Sequence, residues 1–346
     1  MRFNGLWTKC YNKKMRAKPL VAFLLLITIL STLTMAKSIP HIRTALDDFM
    51  QQPDSLYSYQ VIGTVPSDGT PTTTYVINMT SQSWLTSHDI LNGRSVWWHF
   101  ILVVVPNNLN REVKEALMWI IGKHNTDQSP SLSDLDFMRR TAVSSGTIVC
   151  ELMQVPNQPI VFQVDPKREE RSEDGLVALT WRHFLNDTSK PFWIAHLPMT
   201  RAAYKALDTI QDFSHKQLGH SIDHFTVLGT SKKGWTTYLL AAVDQKRVTN
   251  IAPMVIATLN LTLGLEHLYN SLCQFPESMD SYIEQGITDK LWTKEFALLR
   301  DILDPLVYKD RYANIPKLLI YSTGDEFFLP DLSLFGYPYL TGMLLN

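Results

Sequence analysis

Three stretches place this chain in the α/β class, as a mostly parallel sheet with helices on both faces. The first is His224–Asp244. Phe225–Leu228 are β-formers ending at Gly229, and Trp235, Leu239, Ala242 and Val243 then recur at the spacing of one helix face. The second is a set of apolar runs, Trp97–Pro106, Ala116–Gly122 and Thr147–Val155, with a helical pattern over Ser133–Val143 set among them. The third comes late: Lys317–Thr323 reads as a strand and delivers Gly324-Asp325 at its end. Strands alternating with helical patterns are the signature of a parallel sheet covered on both sides.

Taken in order, the chain begins with an export signal. Residues 1–36 hold six basic residues and no acid, and Pro19–Met35 is a 17-residue apolar run followed by Ala36. That is the pattern of a secretory signal peptide, and the run is also just long enough for an uncleaved signal anchor. In either case the body, 37–346, is exported: secreted, or held outside the cytoplasm on a single span. Membrane contact is expected only through an uncleaved anchor. The body is expected to be one domain. Its charge follows by difference: 32 basic residues less those six leave 26, against 33 acidic ones. A mildly acidic surface argues against nucleic acid as a partner. With 45% hydrophobic residues the chain can bury a sizeable core.

After a short helix around Thr44–Gln51, Tyr57–Val65 and Thr72–Trp84 flank a Pro-Ser-Asp-Gly turn and predict an antiparallel hairpin. Pro156–Asp165 reads as a loop with a short strand, and the charged run Lys167–Asp174 as the start of a helix. Leu197-Pro-Met-Thr200 leads into an amphipathic helix, Arg201–Phe213, with Ala203, Leu207, Ile210 and Phe213 in register. Val248–Ile256 is the next strand and Leu259–Phe275 the next helix. Residues 276–304 form an acidic and aromatic helical insertion placed to act as a lid.

The chemistry centres on Ser231. It stands at the strand-to-helix turn, with Gly229 two residues before it and Gly234 three after. Such a turn, a nucleophile elbow, lifts a hydroxyl above the sheet while the first helical N–H groups face the charge that develops on attack. The usual spacing is G-x-S-x-G; here Lys233 holds the second position and the glycine follows one residue late. The plainer alternative is a βα turn whose serine only caps the helix.

Several further segments match a known family. They are Tyr75–Trp84, Gln154-Val-Pro-Asn-Gln-Pro159, Arg171-Ser-Glu-Asp174, Leu197-Pro-Met-Thr200, Thr230–Thr237 and Gly324-Asp-Glu-Phe-Phe-Leu-Pro330. In this order the chain resembles the PhoPQ-activated pathogenicity-related family, to which an amoebal autocrine proliferation repressor is also similar. The late glycine is a trait of that family. The resemblance implies an α/β-hydrolase-like fold, and residues 44–335 carry it. It raises a substrate-side role for Arg171 or Glu173.

In an α/β-hydrolase the triad runs Ser, then Asp or Glu, then His. Ser231 and Asp325 fit the first two places. The Lys232 N–H and the loop after Gly122, at Lys123, are the candidate oxyanion donors, and His124 reads as a surface histidine. The third place is empty. All ten histidines precede Asp325, the last being His267, and the chain ends 21 residues beyond that Asp. The family places an Asp-His dipeptide farther on. The sequence therefore reads as an α/β-hydrolase with its C-terminal end truncated, its last strand and helix missing, and His267 the one substitute base to test.

Two functions from different classes follow. One is acyl (ester or amide) hydrolysis of a small-molecule or peptide substrate through Ser231, in an intact version that supplies the missing histidine. The other is a non-catalytic secreted glycoprotein that binds a cell-surface receptor, as the resemblance to a proliferation repressor implies. Asn78, Asn186 and Asn260 head N-glycosylation triplets, with Asn186 in the most polar setting. Cys150 and Cys273 could form one bridge, with a buried free Cys150 the alternative. No phosphate loop, H-E-x-x-H or flavin motif is present, so neither a cofactor nor a metal is expected.

Overall fold

The computed structural model describes residues 42–66, 68–342 and 344–345. The expected signal or anchor over 1–36 lies outside them, and among them no helix is long and apolar enough to cross a membrane. Contacts gather Arg43–Asn346 into one unit.

Its frame is a sheet of β1 (Ser58–Val65), β2 (Thr72–Ser83), β3 (Val96–Pro106), β4 (Glu115–Ile120), β5 (Ile148–Leu152), β8 (His224–Thr230), β9 (Val248–Met254), β10 (Lys317–Leu318) and β11 (Leu344–Leu345). A separate ribbon is formed by β6 (Ile160–Val161) and β7 (Glu170–Arg171). The order in the sheet is β1-β2-β3-β5-β4-β8-β9-β10-β11. From β5 to β11 every pairing is parallel, while β1, β2 and β3 form the antiparallel start. The α/β class and the mostly parallel sheet are as the sequence predicts.

Alternation builds the two faces. On β3, Trp97, Ile101 and Val103 enter the main core, while Phe100, Leu102 and Val104 enter a second cluster on the opposite face. Leu135, Met138 and Ala142 of the helix Leu135–Ser145 close that second cluster. The helices Glu173–Asn186, His196–Phe213 and Lys232–Val243 bury their apolar residues in the main core. β5 is buried along its whole length because it lies between these layers.

Several boundaries differ from expectation. Only the end of the charged run, Glu173-Asp174, opens a helix. Glu170–Arg171 pairs with Ile160–Val161, and the helix starts at Glu173 after Ser172. Leu197–Thr200 is inside its helix, which begins at His196, so Pro198 sits in the first turn where its missing N–H leaves no bond unmade. β10 is only two residues long, extended by a single bridge from Ile320 to Met254. The edge beyond β10, expected to be empty, carries Leu344–Leu345 in parallel register with Lys317–Leu318. The bridge Cys150–Cys273 does not form: Cys150 is buried in β5, and Cys273 is exposed after the helix Leu261–Leu272.

Candidate active site

β8 ends at Thr230 and the helix begins at Lys232, so one residue makes the whole turn. Ser231 makes it at φ 56°, ψ −129°, a conformation that costs a non-glycine residue about 1–3 kcal/mol and persists only where the surroundings enforce it. Its N–H donates to the Met254 carbonyl at 2.9 Å, and its own carbonyl accepts from the Trp235 N–H at 3.0 Å. The two glycines explain the spacing. A Cβ on Gly229 would lie 2.5 Å from the Lys233 carbonyl oxygen; one on Gly234 would lie 2.9 Å from the Gly229 oxygen and 2.7 Å from Ile256 Cγ2. The turn closes backbone against backbone at positions −2 and +3, and the +2 position is free to carry a long side chain.

That side chain and its neighbour form an ion cluster the sequence did not reveal. Lys233 Nζ reaches Glu173 Oε1 at 2.9 Å and Oε2 at 2.7 Å. Lys232 Nζ lies 2.9 Å from both Glu173 Oε2 and Asp174 Oδ2. Tyr282 donates its hydroxyl to Asp174 at 3.0 Å. Burial would raise the Glu173 carboxyl, but the two ammonium groups outweigh it and hold it at about 2. Burial likewise opposes the Lys232 charge, yet Asp174 and Glu173 raise it above its ordinary value. Lys233, with Glu173 as its main partner, is lowered by burial. Lys232 spends its ammonium group on Glu173 and Asp174.

The loop expected to donate to the oxyanion adjoins this cluster. A Cβ on Gly122 would sit 3.0 Å from both Lys233 Nζ and Glu173 Oε1, and Lys123 takes φ 98°. The segment Gln154–Pro159, with cis peptides before Pro156 and Pro159, braces the loop. The Gln154 side chain donates to the His124 carbonyl, and the Asn125 N–H donates to the Gln158 carbonyl. The Gln158 side chain continues to Glu173, donating to its carboxylate and accepting from its N–H, each at 2.7 Å. Three of the matched segments are thus one connected polar scaffold around the elbow. The side-chain pairing of Glu173 is with the elbow lysines. Arg171 is buried against Asp165 at 2.8 Å and Glu169 at 2.9 Å, a structural ion pair.

Beside Ser231 lies a cavity of about 40 Å³. Ile256 and Thr258 line it from the segment after β9, Met279, Tyr282, Ile287 and Leu291 from the 276–304 insertion, and Phe327 and Phe328 from the turn after Asp325. Asp325 itself accepts the N–H groups of Phe327 at 2.9 Å and Phe328 at 2.8 Å, the behaviour of a turn former. Its turn reaches the cavity, and the sheet brings it to the same end as Ser231.

Among the described residues no side chain hydrogen-bonds the Ser231 hydroxyl. His267 bonds Asp331 at 2.8 Å and Ser271 at 3.2 Å. It stands two residues, about 200° of helical turn, from the cavity-lining Leu265, and so on the wrong side of its helix for a base. His196 is buried between Trp181 and Trp235, both of its ring nitrogens lack partners, and burial lowers it to about 3.

A profile of the PhoPQ-activated pathogenicity-related protein family matches residues 46–345. The chain belongs to that family. Autocrine proliferation repressor protein A of Dictyostelium discoideum is 35% identical over 315 residues, which are 91% of this chain and 61% of that protein. The chain therefore spans less than two thirds of the length of this curated relative. Among solved structures, the acetyl xylan esterase from Paenibacillus sp. R4 superposes with a TM-score of 0.52 at 13% identity, over 87% of this chain and 84% of that one. This likeness establishes the fold, an α/β-hydrolase-like sheet. In this chain the segments Thr230–Thr237 and Arg171–Asp174 meet as halves of one ion cluster, through Lys232 and Lys233 on one side and Glu173 and Asp174 on the other.

Proposed function

We propose that this family member is an exported protein that hydrolyses an ester or amide by acyl transfer to Ser231. The observation that carries the reading is the Ser231 backbone at φ 56°, at the first turn of a helix and open to a cavity. In this mechanism Ser231 attacks the carbonyl carbon, and the Lys232 N–H and the loop at Lys123 hold the resulting oxyanion. Its collapse expels the alcohol or amine, and water then releases the acyl group from Ser231. The serine proton passes to a histidine base, oriented by Asp325, that the described residues do not supply. The helix N-terminus contributes its unpaired N–H groups and positive dipole end at that point. The test is intact-mass analysis after exposure to a fluorophosphonate. One adduct per chain on the wild type and none on Ser231→Ala supports the reading; no adduct on either removes it.

A second reading has its own support. Asp325 spends its carboxylate on the Phe327 and Phe328 N–H groups, and among the described residues no histidine reaches Ser231. The 35% identical relative is named a proliferation repressor. A secreted, receptor-binding glycoprotein that keeps the fold without turnover fits those facts. Wild-type protein that resists the phosphonate yet binds cells saturably favours this alternative.

A further inference from the structure

The cavity beside Ser231 is shaped and charged for one kind of group. Its walls are apolar and aromatic: Trp181, Trp235, Tyr282 and Phe327 converge with Leu265 and Leu291. The nearby charges cancel, since Lys232 and Lys233 are matched by Glu173 and Asp174 within 2.9 Å. A charged ligand group would find no uncompensated partner there and would lose its hydration. The available volume, about 40 Å³, corresponds to roughly three water-sized occupants, or about as many heavy atoms. One polar feature stands out on the wall. Thr258 is 4% exposed, lines the cavity, and its hydroxyl has no hydrogen-bond partner among the described residues. Buried hydroxyls are nearly always paired, and a polar ligand atom in the cavity is placed to pair with this one.

We infer that this cavity is the acyl pocket of the site and that it takes a short, uncharged acyl group of about two to four carbons, with one hydrogen-bonding atom presented to Thr258. The inference rests on the acyl-transfer reading of Ser231 and deepens it. Aromatic residues of the 276–304 insertion and of the Asp325 turn line the cavity. Longer acyl chains meet Tyr282, Leu291 and Phe327 before the carbonyl carbon reaches the serine.

Two measurements separate failure of the pocket from failure of the nucleophile. In the first, ethyl, butyl and octyl fluorophosphonates are compared by labelling rate on the full chain. The ethyl and butyl probes are expected to label Ser231 at least tenfold faster than octyl, and a faster octyl probe overturns the pocket. In the second, saturation-transfer NMR reads binding of butyramide and octanamide without any covalent step. Transfer to butyramide is expected, with at least a fivefold weaker signal for octanamide. It should fall in Thr258→Val, which keeps the volume and removes the hydroxyl, and vanish in Leu265→Trp, which fills the space. Butyramide binding with no phosphonate labelling leaves the pocket standing and refutes the hydrolase reading. No transfer to butyramide, or transfer unchanged in Leu265→Trp, refutes the pocket.

Discussion

The elbow makes a quantitative demand on Gly229. An alanine there would place its Cβ 2.5 Å from the Lys233 oxygen, 2.6 Å from the Lys233 carbonyl carbon and 3.0 Å from the Gly234 nitrogen. All three are backbone atoms of the helix start, so no side chain can rotate away. Relief requires the first turn of Lys232–Val243 to move by several tenths of an ångström, against Met254 and Ile256 behind it. Overpacking of this kind costs typically 1–3 kcal/mol, and a backbone-only clash belongs at the upper end, about 3 kcal/mol. For a chain of this size roughly 2 °C of Tm accompanies each kcal/mol, so Gly229→Ala is expected to melt about 6 °C below the wild type. The same shift displaces the Lys232 N–H, and misplacement on that scale lowers the rate of Ser231 labelling at least tenfold. Gly324 supplies the control. Nothing lies within 4 Å of a Cβ built there, and its φ is outside the left-handed region, so Gly324→Ala should be neutral or stabilise by about 0.4–1 kcal/mol through the unfolded chain. Calorimetry of the two variants decides the matter. A Gly229→Ala protein melting within 1 °C of wild type, or a Gly324→Ala protein equally damaged, refutes the close-packed elbow.

Other consequences follow from the same geometry. Glu173→Gln strands Lys233, which is 11% exposed, and should cost about 2 kcal/mol in denaturant unfolding; this is below the roughly 3–5 kcal/mol of a fully buried pair because Glu173 is 38% exposed. Adding Lys233→Met should restore most of that loss, and a double variant no better than Glu173→Gln would contradict the pairing. Because the Glu173 carboxyl is held at about 2, below its unfolded value, its contribution is complete above about pH 4.5 and fades as pH falls toward 2. The stability gap between wild type and Glu173→Gln should therefore narrow across that window in urea melts taken at successive pH values. His196, unpaired and neutral, is expected to tolerate His196→Leu within about 1 kcal/mol and with phosphonate labelling unchanged; loss of labelling would make it the missing base. Secreted from eukaryotic cells, the protein should lose one glycan mass in Asn186→Gln. Asn186 is exposed at its helix end, whereas Asn78 is half-buried within the paired strand β2 and Asn260 starts a helix with Thr262 buried beside it. A mass unchanged in Asn186→Gln contradicts that assignment.

What the residues determined locally was legible without coordinates. A continuous apolar run marked β3, and helical spacing over Trp235–Val243 marked the helix after Ser231; both are properties of neighbours in the chain. The turn at Ser231 was equally visible, because the glycines that permit it stand within three residues. Resemblance supplied the family and the triad order. Tertiary structure alone decided the rest. Glu173 and Lys233 are 60 residues apart, and nothing in either segment signals that its charges are spent on the other. Arg171, open to a substrate role on sequence grounds, is buried on Asp165 in the ribbon where β7 pairs back on β6, Ile160–Val161. His267 lies on the face of its helix turned from the cavity and bonds Asp331, and Cys273, just past the end of that helix, is exposed while Cys150 is buried in β5. Local patterns are set by the covalent chain, while pairing of charges and choice of cavity walls depend on which elements meet in space, and only the folded sheet settles that.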